Sequence, residues 1–230
     1  MESERARPDR QNTAAIIPAY NEAKHLADVV KRSRQQIDHL LVVDDGSTDD
    51  TAAQARSAGA EVLVHPENRG KGESIKAGLR YWMERGFSWV VILDADGQHR
   101  PEEIERMGNA AGAHNPALLI GNRMNDVAAM PVVRRLVNRY MSNRISRVCG
   151  QEIPDTQCGF RMLHRDLIPS LLVGTNRFDY ETEMLILASR KGFRIASVSI
   201  TTVYSDEVSS IHPVRDTLRF FKLMQRYRQP

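Results

Sequence analysis

In the first half of the chain, apolar residues fall into short unbroken runs, and between the runs they recur every three or four positions. Residues 13–18 (TAAIIP) form a run closed by proline, the pattern of a buried strand. Asn21 stands where a helix cap belongs, and Leu26, Val29, Val30 and Ile37 follow at helical spacing. Residues 39–43 (HLLVV), 61–65 and 89–93 (WVVIL) read as three further strands. Between them, a helix capped by Ser47 or Thr48 ends near Gly59. Another over 73–85 carries Ile75, Leu79 and Trp82 on one face and stops at Gly86.

Strands that barely alternate in polarity are buried on both faces. Their alternation with helices predicts an α/β fold on a mostly parallel central sheet with helices on both faces. Ligands of such sheets bind beyond the carboxyl ends of the strands. Pro18, Asp44, Asp45, Asp94 and Asp96 all fall at those ends.

The second half is less regular. Pro101, Glu102 and Glu103 open a helix, residues 117–120 form a strand, and 131–148 form a basic helix. A strand over 158–163, a helix over 180–191 closed by Gly192, and a strand over 193–200 follow. Residues 213–228 have the pattern of a basic amphipathic helix. With no repeat or low-complexity linker, the expected organisation is a fraying segment 1–12, one domain over 13–212 and the terminal helix in 213–230.

Composition narrows the class. Of 230 residues, 41% are hydrophobic and 27% charged, which excludes a disordered or collagen-like chain. No run of 18 apolar residues exists to span a bilayer. The net charge of +3 gives no reason to expect a nucleic-acid partner. Cys149 and Cys158 lack metal-ligand spacing and read as reduced thiols, and the polar start lacks the apolar stretch of a signal peptide. A cytoplasmic location is therefore expected.

The candidate chemistry is acidic. Asp94 and Asp96, two residues apart past a buried strand, repel one another unless a cation neutralises them. Mg²⁺ or Mn²⁺ takes such oxygen ligands and commonly bridges a diphosphate. Gln98 adds a neutral oxygen, and Gly97 lets the backbone turn so that all three face one ion; a solvated acidic turn is the plain alternative. Asp45 can accept a hydrogen bond from a nucleobase N–H while Ser47 caps the next helix. Tyr20 can stack on a base, or belong to an ordinary turn. Lys71, flanked by Gly70 and Gly72, suits a phosphate or a solvated loop. Among the arginines, Arg123 and one of Arg134 and Arg135 are the candidates for phosphate. Asp179, Glu181 and Glu183 fit the acidic first turn of a helix.

In order, PAYNEA, VVDDGSTD, NRGKGESIKAG, LDADGQHRPEEI, GNR, DTQCGFR and FDYETEML resemble family 2 glycosyltransferases, above all the dolichyl- and polyprenyl-phosphate sugar transferases. The resemblance spans about residues 16–211. It implies a GT-A fold, a UDP- or GDP-sugar donor and a divalent metal. Carried over residue by residue, it implies that Pro18, Tyr20, Glu22, Asp44 and Asp45 hold the nucleoside. Lys71 would lie near the base or phosphates, Ala95 by the ribose, and Asp94, Asp96 and Gln98 on the metal. Arg123 and Arg134 or Arg135 would meet phosphate.

No position matches a dedicated base motif; Glu181 or Asp179 would orient the acceptor, and Asp96 is the remaining catalytic candidate. A phosphate monoester, with its second pKa near ~6, is already nucleophilic at neutral pH. Attack opposite the leaving group predicts inversion at the anomeric carbon. The final helix, with Leu218, Phe220, Phe221, Leu223 and Met224 among arginines and lysine, can lie on the inner face of a membrane or pack on the core. Two other readings compete. Asp94-Ala95-Asp96-Gly97 also resembles the nucleophile loop of haloacid-dehalogenase-type phosphatases, and a non-catalytic nucleotide- or lipid-binding relative is the third.

Overall fold

The computed structural model describes residues 5–125, 130–175, 179–201, 203, 220 and 223–227. Seven strands form one sheet: β1 (Thr13–Ala19), β2 (His39–Asp44), β3 (Glu61–Val64), β4 (Trp89–Ile92), β5 (Leu118–Asn122), β6 (Arg161–His164) and β7 (Ile195–Ser199). The helices are α1 (Ala23–Gln36), α2 (Thr51–Ser57), α3 (Lys71–Glu84), α4 (Glu103–His114), α5 (Val132–Cys149), α6 (Ile168–Leu171) and α7 (Asp179–Arg190).

The strand order is β3-β2-β1-β4-β6-β5-β7. β1 pairs in parallel with both β2 and β4, so the chain order reverses at β1. Such a switch point opens a crevice at the carboxyl edge, where neighbouring loops diverge to opposite faces. Asp44 and Asp45 end β2 on one side of it, and Asp94 follows β4 on the other. β1, β2, β4 and β5 are buried almost throughout, as their unalternating sequences predict. α3 lies against β1 at Gly78, where a Cβ would meet the Ile16 side chain at 2.8 Å. The neighbouring Trp82 is buried and donates its indole N–H to the Ala15 carbonyl at 3.0 Å. Truncating it to alanine would cost about 3–5 kcal/mol.

The sheet is mixed. β6 runs antiparallel to β4 and β5 and separates them, with Arg161 opposite both Ile92 and Ile120. Its beginning therefore sits at the carboxyl edge, and the loop that precedes it, residues 156–160, arrives beside Asp94. The pattern of residues 158–163 predicts a strand there but carries no sign of its direction.

Three local expectations are corrected. Residues 5–12 do not fray: Arg5 donates to Asn115, and the Trp89 indole donates to the Ala6 carbonyl at 2.7 Å. Asn21 does not cap α1. It adopts a left-handed backbone (φ 55°), and its side chain accepts from Thr48 N, tying the β1 loop to the β2 loop. Ser47 does not cap α2 but accepts from Asn21 N. Most of 213–228 lies outside the described residues. Within it, Phe220, Leu223 and Met224 are buried against the core, so these three do not face a bilayer.

Candidate active site

The centre of the crevice is an ion cluster. Lys71, the first residue of α3, places its ammonium 2.6 Å from Asp94 Oδ1 and 3.0 Å from Glu181 Oε2 of α7. Gly70 precedes it with φ 94°, a turn that starts α3 at the mouth of the crevice. Burial alone would raise the Asp94 pKa, but Lys71, His99 and Arg123 together outweigh it and hold that carboxyl well below the usual range. Asp96 goes the other way: burial first, and then the charge of Asp94, raise its pKa. Its Oδ1 accepts from Gln98 N at 2.9 Å, closing the turn around Gly97 (φ 72°).

His99 lies beneath this pair. Its Nδ1 is 3.8 Å from Asp94 Oδ2 and its ring lies 5.4 Å from that of Phe160. Burial lowers its pKa despite the two carboxylates, which keeps the ring neutral. Gly159, in the loop before β6, packs directly on the Asp94 carboxylate; a Cβ there would collide with both carboxylate oxygens. The loop itself is fixed by the buried Arg161. Its guanidinium donates to the carbonyls of Cys158 (3.0 Å), Thr156 (3.1 Å) and Glu181. That last bond joins the loop to the start of α7, which carries both Glu181 and Asp179.

Asp45 has a different setting from the one its position predicts. Its carboxylate accepts from His65 Nδ1 (2.8 Å), Arg69 N (3.0 Å) and Gly70 N (2.7 Å). A carboxylate has about four lone-pair sites, so His65 and the 69–70 loop backbone together use most of them. Asp45 holds that loop, and with it Lys71, in place. Asp44 accepts from Ser47 N at 2.9 Å. Gly46 (φ 74°) touches the Glu67 backbone, where a Cβ would approach within 2.6 Å.

On the near side, Pro18 is buried at the end of β1, Tyr20 is 45% exposed, and Glu22 donates its backbone N–H to Thr51. Ala95 is buried between the two aspartates.

Arg123 is turned inward. Its Nε and Nη2 form a two-pronged pair with Asp155 at 2.7 and 2.9 Å, and its backbone N–H donates to the same carboxylate. Asn138 of α5 donates to Asp155 as well, at 2.9 Å. The fork expected to meet phosphate is thus engaged by protein. Arg134 and Arg135, at the start of α5, are both half-buried. His65, His99, Asp155 and Arg161 are site residues that single-motif reading leaves unassigned. For His65 and Arg161 the signal is a polar residue between apolar neighbours; His99 and Asp155 carry no such signal.

The donor set fits a hard divalent cation. Glu181 Oε1 is a buried acceptor without a hydrogen-bond donor, Asp94 Oδ1 meets the Lys71 ammonium, and Asp94 and Asp96 repel. Among the described residues, no three acidic or imidazole side chains make a cage by themselves. A cation held there by one or two carboxylates would need substrate phosphates to complete its shell.

Comparison with known proteins agrees with this geometry. The model of the glycosyl transferase family 2 matches residues 14–172. The polyprenol monophosphomannose synthase of Mycolicibacterium smegmatis is 34% identical over 206 residues, covering 83% of this chain and 77% of its own length. The undecaprenyl-phosphate mannosyltransferase of Micrococcus luteus is 31% identical over 201 residues, covering 82% of each. Among solved structures, glucosyl-3-phosphoglycerate synthase of Mycobacterium tuberculosis, in complex with Mn²⁺, uridine diphosphate and phosphoglyceric acid, superposes with a TM-score of 0.72. It is 19% identical and covers 95% of this chain and 79% of its own. The likeness gives the fold, GT-A, and the family match displaces the phosphohydrolase alternative. The acidic strand ends of the crevice lie inside the matched segment, and the chain belongs to glycosyl transferase family 2.

Proposed function

We propose that this enzyme transfers a sugar from a nucleoside diphosphate sugar to a polyprenyl phosphate, with a divalent cation and with inversion at the anomeric carbon. The observation that carries the reading is the Asp94–Lys71–Glu181 cluster at the sheet's switch point, with Asp96 beside it. The named activities of the relatives from Mycolicibacterium and Micrococcus support the acceptor class.

In this reading Tyr20 stacks on the base and Glu22 faces the nucleoside; Pro18 and Ala95 line its floor. Asp44 and Asp45 fix the loops around it. Asp94, Asp96 and Gln98 would hold Mg²⁺ or Mn²⁺, which when bound would supply positive charge for the diphosphate leaving group. Lys71 adds a second positive charge at the same edge. Asp179 and Glu181 position the acceptor, and Arg134 or Arg135 attracts its phosphate; Arg123 supports that side through Asp155. No side chain has to remove a proton, because the attacking phosphate is already anionic. The chain's task is to hold two anions together and exclude water.

The test supplies labelled UDP- and GDP-sugars with a polyprenyl phosphate and Mn²⁺. A lipid-linked sugar of inverted configuration is expected with one donor class. Transfer at full rate in excess chelator would remove the cation from the mechanism.

A further inference from the structure

The first half of α5 is amphipathic in the wrong sense for a helix of a water-soluble domain. Its inward positions are polar: Asn138 and Ser142 are buried and bonded to Asp155 and Thr156. Its outward positions are apolar. Val132, Val133, Leu136, Val137 and Tyr140 all face solvent, with Val133 74% and Leu136 60% exposed. These five recur at the spacing of a single helical face. They include most of the strongly exposed large apolar side chains among the described residues, and such a contiguous patch marks an interaction surface.

The charge around the patch identifies its partner. α5 carries Arg134, Arg135, Arg139, Arg144 and Arg147 and no acidic residue. A second copy across a two-fold axis would set these arginines against one another, which is unfavourable. An anionic bilayer suits both features: the apolar face enters the headgroup boundary and the arginines meet lipid phosphates. The position is also apt. Asn138 touches Asp155, which holds Arg123 just past the carboxyl end of β5. The helix that carries the patch is therefore tied to the carboxyl edge of the sheet.

We propose that the outward face of α5 is the surface by which the enzyme docks on an anionic membrane, next to the mouth through which a lipid acceptor would enter. The second clause rests on the acceptor class proposed above; the docking itself does not.

The test is co-sedimentation of the full chain with vesicles of phosphatidylcholine alone or mixed with phosphatidylglycerol. Binding is expected to the mixed vesicles and to fall at ~1 M salt, where the Debye length is about 3 Å. The double variant V133E/L136E should lose binding by about tenfold or more. Both residues are exposed, so its melting temperature should match wild type. Equal binding by variant and wild type, or no binding by wild type, overturns the proposal. So does a wild-type dimer that the variant dissolves without any vesicle binding. A water-soluble short-chain isoprenyl phosphate separates the two readings. The variant should glycosylate it at the wild-type rate yet fail on a long-chain acceptor in vesicles, and equal loss on both overturns docking. A wild type that binds vesicles but glycosylates neither acceptor defeats the acceptor class and leaves docking intact.

Discussion

The ammonium of Lys71 lies 2.6 Å from Asp94, so a cation of the chain's own sits beside a carboxylate proposed above as a metal ligand. Removing it leaves Asp94 and Glu181, both half-buried, without their nearest counter-charge. Lys71→Met is expected to lower stability by about 3 kcal/mol. Mn²⁺ should raise the melting temperature of this variant more than that of wild type, because the two cations compete for one carboxylate pair. Equal metal-induced shifts in thermal melts would count against that competition.

Asp96 has the opposite electrostatic status. Its pKa is raised in the folded protein, so its charge opposes folding at neutral pH. Asp96→Asn should therefore abolish transfer while leaving the melting temperature unchanged or higher. Loss of both activity and stability would assign Asp96 a structural role.

The Arg123–Asp155 pair is buried and two-pronged; burial opposes the Asp155 charge, but Arg123 and Asn138 together hold its pKa low. Asp155→Asn should cost about 3–5 kcal/mol by stranding the guanidinium. Adding Arg123→Met should recover part of the loss, a coupling that a double-mutant cycle by urea denaturation would read. Strict additivity would mean the two act separately, and would return Arg123 to direct phosphate binding.

Acidification should weaken the fold in two stages. His99 and His164 both have lowered pKa values from burial. The unfolded chain then binds protons below about 6.5 that the native chain refuses, so stability falls as pH drops through that region. Asp94 and Asp155, whose pKa values are depressed, hold their contributions until the pH falls below about 4. His99→Gln should flatten the upper stage in urea midpoints measured between neutral and mildly acidic pH. An unchanged slope in that variant would exclude His99.

Two glycines give a steric contrast. Gly46 and Gly59 both have positive φ, but only Gly46 has backbone within reach of a Cβ. Gly59→Ala should cost about 1–2 kcal/mol from its backbone conformation alone. Gly46→Ala should cost clearly more, since the Glu67 backbone must move. Similar melting temperatures for the two variants would contradict the close approach.

Much of the frame is legible in the chain. Long apolar runs fix β1, β2 and β4, and the acids after β2 and β4 mark the crevice, because both signals are local. What is not legible depends on distant partners. The direction of β6 is set by the gap between β4 and β5, not by residues 161–164. Asp45 looks available for a ligand until the backbone of Arg69 and Gly70 is seen to occupy it. Arg123 looks like a phosphate fork until Asp155 arrives from 32 positions away. α5 reads as a basic helix, but its periodicity alone cannot reveal that its apolar face points outward.

The reversed strand β6 has a bearing on biosynthesis. β4 and β5 emerge from the ribosome well before the segment that must slide between them, so they cannot be zipped together early without blocking it. The nascent chain can settle β1 to β4 first, as amino-terminal portions do. Gly159 and Arg161 come with the latecomer, and they brace Asp94 and Glu181. A truncated or stalled product would thus possess the acidic tips but not their seating, and catalytic competence would be among the last properties acquired.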